Sequence, residues 1–504
     1  MAAVLCRRRW RAFSTASSIA TTVSSSSCGT MSEWLVVGGG PCGVVATGLI
    51  VDHLHATGAA APGAVTFADE NGFRSLGRFG RYKAVPGNTP VGIITGVLGS
   101  IRSISFAQDQ EKRRSTAGTY RDSIQGAATL LTCPDPSATC DLRLAIEALE
   151  DASQRLRRLP SVAARRGRVA TLALVEDSEL GQHWRAELEQ PSASSGNDEG
   201  AGAAALGSAP SSFLRARRVL LCPGRVPSAT PPGLALGDEE NANNIQLLSV
   251  EDAVCPRRCG RAVEDLLKRT SSSSSSSSSL KFAVVGNSHS GMLVALNLVR
   301  HAGVRPEDVT IIHKEPLRFA EPREGGKWTK YDGTGLKGTV REWALEGEAE
   351  GSTSEAARLR RQLFVEGEDW RSQLERVRGG DEDATVAVAF AHGFDLKGAA
   401  LPGVTLGHGA YGDMGGGRVQ AALFPGRCEH PEVYDGFTGR LHLPALPANC
   451  EHGLYGAGFG FPEVWTDPEG HTEARVGFNV VYVKHVKRII ARGDSKQQQQ
   501  QCGS

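Results

Sequence analysis

Two segments of this 504-residue chain share an arrangement that few folds accommodate: an apolar run, a turn rich in glycine or small residues, and a second apolar run of helical character. The first is Trp34-Leu35-Val36-Val37, followed by Gly38-Gly39-Gly40-Pro41-Cys42-Gly43 and then Val44 to Ile50. This order reads as a buried strand, a tight turn and a helix start. In such a turn, which also holds Pro41, Gly38 permits the sharp bend, Gly40 lets the backbone approach a pyrophosphate, and Gly43 lets helix and strand pack closely. The positive end of the helix dipole then meets the phosphate. The next apolar strand, Ala64 to Ala68, ends in Asp69 and Glu70, and Asp69 is the acid expected to bind the ribose hydroxyls.

The second segment is Phe282-Ala283-Val284-Val285, then Gly286-Asn287-Ser288-His289-Ser290-Gly291, then Met292 to Val299. Gly286, Ser288, Ser290 and Gly291 are its nucleotide-binding candidates, with Ser288 in place of the middle glycine. The strand after it, Val309 to Ile312, ends in His313 and Lys314 rather than in an acid. A basic end favours a 2′-phosphate, with Lys314 and Arg318 as counter-charges. His289 reads as a bystander, because backbone groups do the work of such a loop.

The remaining composition narrows the class. The chain is 40% hydrophobic with a formal net charge of +1, ample for a buried core and two or three domains. It lacks the basic field that nucleic acid or an anionic membrane surface would require, and no apolar stretch reaches the roughly 18 residues of a membrane span. The eleven cysteines are scattered, which reads as a mostly reduced set. Cys255 and Cys259 lack zinc-site spacing, and no metal site is expected. Residues 1–32 hold Arg7, Arg8, Arg9 and Arg11 and no acid, as in an organelle transit peptide. A mitochondrial address is expected, with a plastid address or a cytosolic form starting at Met31 as alternatives.

Low-complexity tracts at Gln190 to Ser212, Ser271 to Ser279 and Gln497 to Gln501 mark surface insertions and a tail. Between them strands alternate with helices: a helix over Thr139 to Arg158, strands over Arg168 to Glu176, His183 to Glu189 and Arg217 to Leu221. The expected organisation is a first dinucleotide domain over 33–270, a linker at 271–279, a second domain over 280–395 and a return to the first over 396–492, with a disordered tail at 493–504.

On these motifs the chain resembles the FAD/NAD(P)-binding flavoprotein superfamily, nearest to its flavin-dependent and N-hydroxylating monooxygenases. Gly77-Arg78-Phe79-Gly80-Arg81-Tyr82 and Val85 to Thr89 are similar to the segment that passes near the flavin, which implies Gly77, Arg78 and Asn88 as flavin or pyrophosphate contacts. Val219 to Gly224 resembles the strand that returns to the FAD domain, with Gly224 near the cofactor. Gly453 to Gly458 resembles the closing strand, with Gly458 at its end and Ala474 to Arg492 as the following helix. Phe390-Ala391-His392-Gly393-Phe394 is similar to a monooxygenase segment that carries threonine where His392 stands.

The resemblance implies an α/β fold with two Rossmann-like domains, the FAD domain discontinuous and carrying a small strand meander. It implies FAD and NADPH as cofactors and an oxidoreductase acting on a small molecule that the sequence does not name. A monooxygenase is the first reading, although the Phe-x-Gly-x-x-x-His signature between the turns is missing. A flavin dehydrogenase or quinone-type reductase is the second, and a non-catalytic NADP-sensing protein the third. A disulfide reductase is disfavoured because Cys42 stands alone near the first turn. No catalytic residue is assigned.

Overall fold

The computed structural model describes residues 30–73, 76–104, 130, 133–136, 138–190, 212–227, 245–273, 279–381, 383–395, 402–406, 434–435, 437–441, 453–475 and 480–494. Nearly all of the basic leader, most of the 190–212 insertion, the middle of the serine run and the C-terminal glutamines lie outside these residues.

The apolar run before the first turn forms the strand Ser32–Val37, with Trp34, Leu35 and Val36 at most 1% exposed. A strand buried on both faces needs a parallel neighbour at each edge and covering layers above and below. Val65–Asp69 pairs on one side and Ser212–Leu221 on the other, both parallel. Val162–Arg166 extends the sheet past Val65–Asp69, and Leu454–Gly456 joins the far half of Ser212–Leu221. Numbered in chain order, these five parallel strands lie 3-2-1-4-5, a doubly wound arrangement.

The near half of Ser212–Leu221 pairs antiparallel with Gly181–Glu189, which pairs in turn with Arg168–Asp177; Gly403–Leu406 adds the outer edge. Here one face is buried. Trp184, Ala186 and Leu188 point inward while Arg185 and Glu189 are exposed, the alternation of a half-covered sheet. Helix Pro41–Ala56 is buried almost all round, wedged between the parallel strands and the helices Leu142–Leu156 and Val486–Asp494.

The second sheet is wholly parallel, in the order Ile245–Leu247, Thr385–Phe390, Leu280–Val285, Val309–His313, Arg360–Leu363. Its composition corrects the expected start at residue 280. Ile245–Leu247 is one of its strands, and the helix Pro256–Ser273 packs Cys259, Val263 and Leu266 into the same core as Phe282, Val284 and Met292. The apolar stripe of that helix needs a sheet to cover it, and this sheet is the one within reach.

Three boundaries also differ from expectation. Ser32, assigned to the leader, opens the first strand and hydrogen-bonds Thr66 through its hydroxyl. The expected helix over 139–158 is a short strand, Thr139–Asp141, followed by helix Leu142–Leu156. The expected helix from Ala474 starts at Val480 with a π-helical turn, Val480–His485; Thr472–Arg475 instead forms a hairpin with Glu463–Thr466. Among the described residues no helix is long and apolar enough to cross a membrane.

Two predictions test this packing. The Trp34 ring lies 5.8 Å from that of Tyr455 and 5.4 Å below the Arg218 guanidinium. Trp34→Ala empties a site at the centre of the first sheet and is expected to cost about 3–5 kcal/mol in urea unfolding. His485 is fully buried, and among the described residues neither ring nitrogen has a partner. Burial, reinforced by Arg488, pulls its pKa from 6.5 to about 4, with Asp435 opposing. Between those two values the unfolded chain binds the proton and the folded chain does not, so stability falls as pH drops through that window. His485→Phe is expected to flatten that part of the pH–stability curve.

Candidate functional site

Both glycine turns sit where the strand order reverses, and the same steric facts recur at each. After Ser32–Val37 the chain bends at Gly38, whose φ is +109°, and a β-carbon there would lie 2.4 Å from the carbonyl oxygen of Cys222. After Leu280–Val285 it bends at Gly286, φ +107°, where a β-carbon would lie 2.5 Å from the carbonyl oxygen of Ala391. One turn later a β-carbon on Gly43 would meet the Gly38 oxygen at 1.8 Å, and one on Gly291 the Gly286 oxygen at 1.9 Å. These four positions admit glycine alone.

The middle positions behave differently. Gly40 and Ser288 are the residues immediately before their helices, with φ, ψ of −72°, −179° and −73°, −177°. That is extended backbone open to any residue, and a β-carbon on Gly40 would have only the Leu76 oxygen nearby, at 3.8 Å. The space in front of Gly40 is therefore not used by the fold. Pro41 takes the first helical position, and neither helix has an acid in its first turn or a side-chain cap. Among the described residues no side chain caps either helix, so two helix N-termini, the positive ends of their dipoles, open at the two crossovers.

Asp69 is where the sequence placed it, 6% exposed at the end of its strand. Gly39 N–H donates to Oδ1 at 2.8 Å and Phe73 N–H to Oδ2 at 2.7 Å. Each oxygen keeps a second lone pair, so the acid both holds the turn and remains able to accept from a ribose. Gly458, φ +90°, comes directly onto the first turn, where a β-carbon would lie 2.9 Å from Cys42 Sγ. Cys42 is not alone. Its thiol hydrogen-bonds Cys222 across the crossover, and burial together with that partner raises its pKa. Both cysteines are buried, and the raised pKa of Cys42 makes it the inert rather than the reactive kind of thiol.

Arg78 is engaged away from the turn. Together with Arg81 it pairs with Glu251, at 3.3 and 3.2 Å, and the Tyr82 hydroxyl donates to the same carboxylate at 3.2 Å. Burial and Glu251 push Tyr82 up to about 12, so it stays a donor. Glu251 belongs to the short helix Val250–Ala253 ahead of Pro256–Ser273, so this cluster ties the segment after Asp69 to the second unit. Gly77, φ +61°, precedes it; Asn88 lies half-buried on the strand Pro86–Pro90; Gly224, φ +72°, follows the return strand with open space around it.

At the second turn Ser288 is exposed and Ser290 partly so. Lys314 Nζ lies 4.8 Å over the Phe364 ring and 3.9 Å from Glu366, and Arg318 pairs with Glu315 at 3.3 Å while covering Tyr331. Both cations thus flank the end of Val309–His313, each with an acid that sequence reading did not assign to it. Burial and, secondarily, Lys337 pull His289 down to about 4, and its Nδ1 has no partner among the described residues. Burial also lowers His392, which follows Ala391 at the second crossover.

No family model matches the chain. It is 28% identical over 283 residues to the curated protein Monooxygenase AgnR1 of Paecilomyces divaricatus, a match spanning 55% of this chain and 60% of that protein. Among solved structures, the ornithine hydroxylase of Pseudomonas aeruginosa superposes with a TM-score of 0.50 at 13% identity, over 92% of this chain and 99% of the other. An ornithine N-hydroxylase of Kutzneria sp. 744, in a structure with reduced FAD and NADP+, gives 0.49 at 12% identity over 93% and 100%. At 13% identity, the superposition on the Pseudomonas aeruginosa ornithine hydroxylase shows a shared fold, and the two glycine crossovers of matching geometry lie within it.

Proposed function

We propose that this chain is an FAD-dependent oxidoreductase reduced by NADPH, and that it works as a monooxygenase on a small organic substrate. The observation that carries the reading is the duplicated crossover, in which Gly38 with Cys222 and Gly286 with Ala391 each leave a helix N-terminus facing open space. The relatives supply the direction, since the curated one is named a monooxygenase.

The residues fit the two cofactors. At the first turn the Gly40 position leaves room for a pyrophosphate against the free N–H groups of helix Pro41–Ala56, and Asp69 offers its remaining lone pairs to the ribose. At the second turn the helix His289–Arg300 presents its N-terminus in the same way, with Ser288 able to donate a hydroxyl. Lys314 and Arg318 supply positive charge beside it for a 2′-phosphate. FAD supplies hydride acceptance from a nicotinamide and onward electron transfer to oxygen or another acceptor. His289, held neutral by burial, adds no competing charge to the nucleotide loop. Stopped-flow spectra of the reduced protein mixed with oxygen separate the outcomes: a long-lived flavin–oxygen adduct supports a monooxygenase, and immediate peroxide release supports a dehydrogenase or quinone-type reductase. A colourless protein that consumes no NADPH would leave only a sensing role.

Two substitutions test the assignments. Gly40→Val meets no clash in the fold but fills the pyrophosphate space, so a folded, colourless protein is expected, with flavin absorbance and circular dichroism as the paired readouts. Lys314→Ala, alone and with Arg318→Ala, removes charge-assisted contacts of about 1.5–3 kcal/mol each. NADPH affinity is expected to fall by roughly one to two orders of magnitude in the single variant and roughly two to four in the double, while NADH is nearly unchanged. Steady-state flavin reduction with both nucleotides measures this, and equal losses for the two would overturn the NADPH assignment.

A further inference from the structure

A short chain of contacts joins the two glycine turns through the protein. It starts at Gly40, where the one described atom within 4 Å of an added β-carbon is the Leu76 carbonyl oxygen, at 3.8 Å. Leu76 is buried in the first core and holds a left-handed backbone, φ +49°. An apolar residue with a β-carbon keeps such a backbone only where its surroundings fix it. From Leu76 the chain runs through the tight helical turn Gly77–Tyr82 to Val85, which is buried in the second core; Tyr82 packs against that core as well. Residues 76–85 thus strap the mouth of the first turn to the second unit.

Glu251 grips this strap near its middle. Its carboxylate takes Arg78 at 3.3 Å, Arg81 at 3.2 Å and the Tyr82 hydroxyl at 3.2 Å. Arg258 adds a backbone tie, donating to the Arg81 carbonyl at 3.0 Å and to the Glu251 carbonyl at 2.7 Å. On its other side the short helix of Glu251 is held by the helix that starts at the second turn. Fully buried Asn297 of His289–Arg300 donates from Nδ2 to the Ala253 carbonyl at 2.9 Å. A continuous path therefore runs from the second nucleotide helix through Ala253 and Glu251 to the strap and the first turn. Without the carboxylate, Arg78 and Arg81 would be neighbouring like charges with Arg258 beside them, and Asp252, 3.3 Å from Arg258, answers that one alone.

We propose that Glu251 is a positioning residue for hydride transfer between the two nucleotides. The proposal rests on the reading of the chain as an FAD enzyme reduced by NADPH. In the step concerned, a C–H bond of the reduced nicotinamide breaks, an N–H bond forms on the oxidised flavin, and the electron pair travels with the hydrogen. Such a transfer depends steeply on how closely the two rings approach, and a misplacement of about 1 Å costs roughly 100-fold in rate. Each nucleotide is held by its own turn, so their mutual approach is set by whatever fixes one unit against the other. Glu251 belongs to neither turn, and it acts on that approach rather than on affinity.

The test uses full-length, flavin-loaded protein. Glu251→Ala is expected to keep its flavin and to bind NADPH within about threefold of the wild type, while flavin reduction at saturating NADPH slows roughly 10- to 100-fold. Glu251→Gln keeps an oxygen for the Tyr82 hydroxyl but drops the ion pairs, and Tyr82→Phe keeps the ring in the second core; both are expected to slow reduction less, and they carry the test if Glu251→Ala does not fold. Hydrogen exchange without NADPH gives a readout independent of activity. Residues 76–85 are expected to exchange faster in the variants, with Ser32–Val37 and Leu280–Val285 as protected as in the wild type. An unchanged reduction rate, unchanged exchange in the strap, or a loss of flavin and NADPH affinity in step with the rate overturns the positioning role. A wild-type protein that NADPH does not reduce overturns the proposed function and this role with it, and that result is visible before any variant is compared.

Discussion

Everything in this molecule hangs on a backbone approach made twice, in which a glycine at positive φ lets one strand end almost touch the carbonyl of its neighbour. Gly38 against Cys222 and Gly286 against Ala391 close to a separation that a single β-carbon would forbid. The approach has two consequences. It lets the following helix start at once, with Gly43 and Gly291 pressed onto the turn, and among the described residues no side chain caps the first N–H groups of that helix. A fold that ends two buried strands this way turns two uncapped helix N-termini toward the crossovers, and the rest of the architecture holds them in place.

The supports differ between the two halves. The first turn is bound by Asp69 from the second strand and by Gly458 from the far end of the chain, which packs on Cys42. The second is bordered by Lys314 and Arg318 on one side and by His289 and the loop toward Lys337 on the other. Between them runs the Glu251 cluster, where one carboxylate gathers Arg78, Arg81 and Tyr82. Each of these ion pairs is partly exposed and worth little alone. Their convergence on one acid, 15% exposed, gives the segment beyond Asp69 a defined relation to the second unit.

The polar hairpin at 463–475 shows the limit of pattern reading. Its sequence alternates, as a half-buried strand should, but the large buried side chains include acids and the exposed ones include valine and alanine. An alternation rule would have turned it the other way. What decides its orientation is the covering segment with Trp328, Tyr331 and Gly333, more than a hundred residues earlier in the chain.

Sequence alone determined the elements whose causes are local. Glycine, apolar strand and helix lie within about fifteen residues at each turn, so the turns, the place of Asp69 at a strand end, and the basic end of Val309–His313 were legible, as was the strand meander. The tertiary structure decided what depends on partners distant in the chain. Cys42 read as solitary because Cys222 is 180 residues away, and the pairing of Arg78 with Glu251, 173 residues on, was not visible. Ile245–Leu247 fell on the wrong side of the serine run because a low-complexity tract marks a surface excursion, not the point at which one sheet ends and another begins. Local sterics fix a turn from the sequence; which carbonyl it approaches and which acid pairs with a given arginine are settled only when the strands have taken their order.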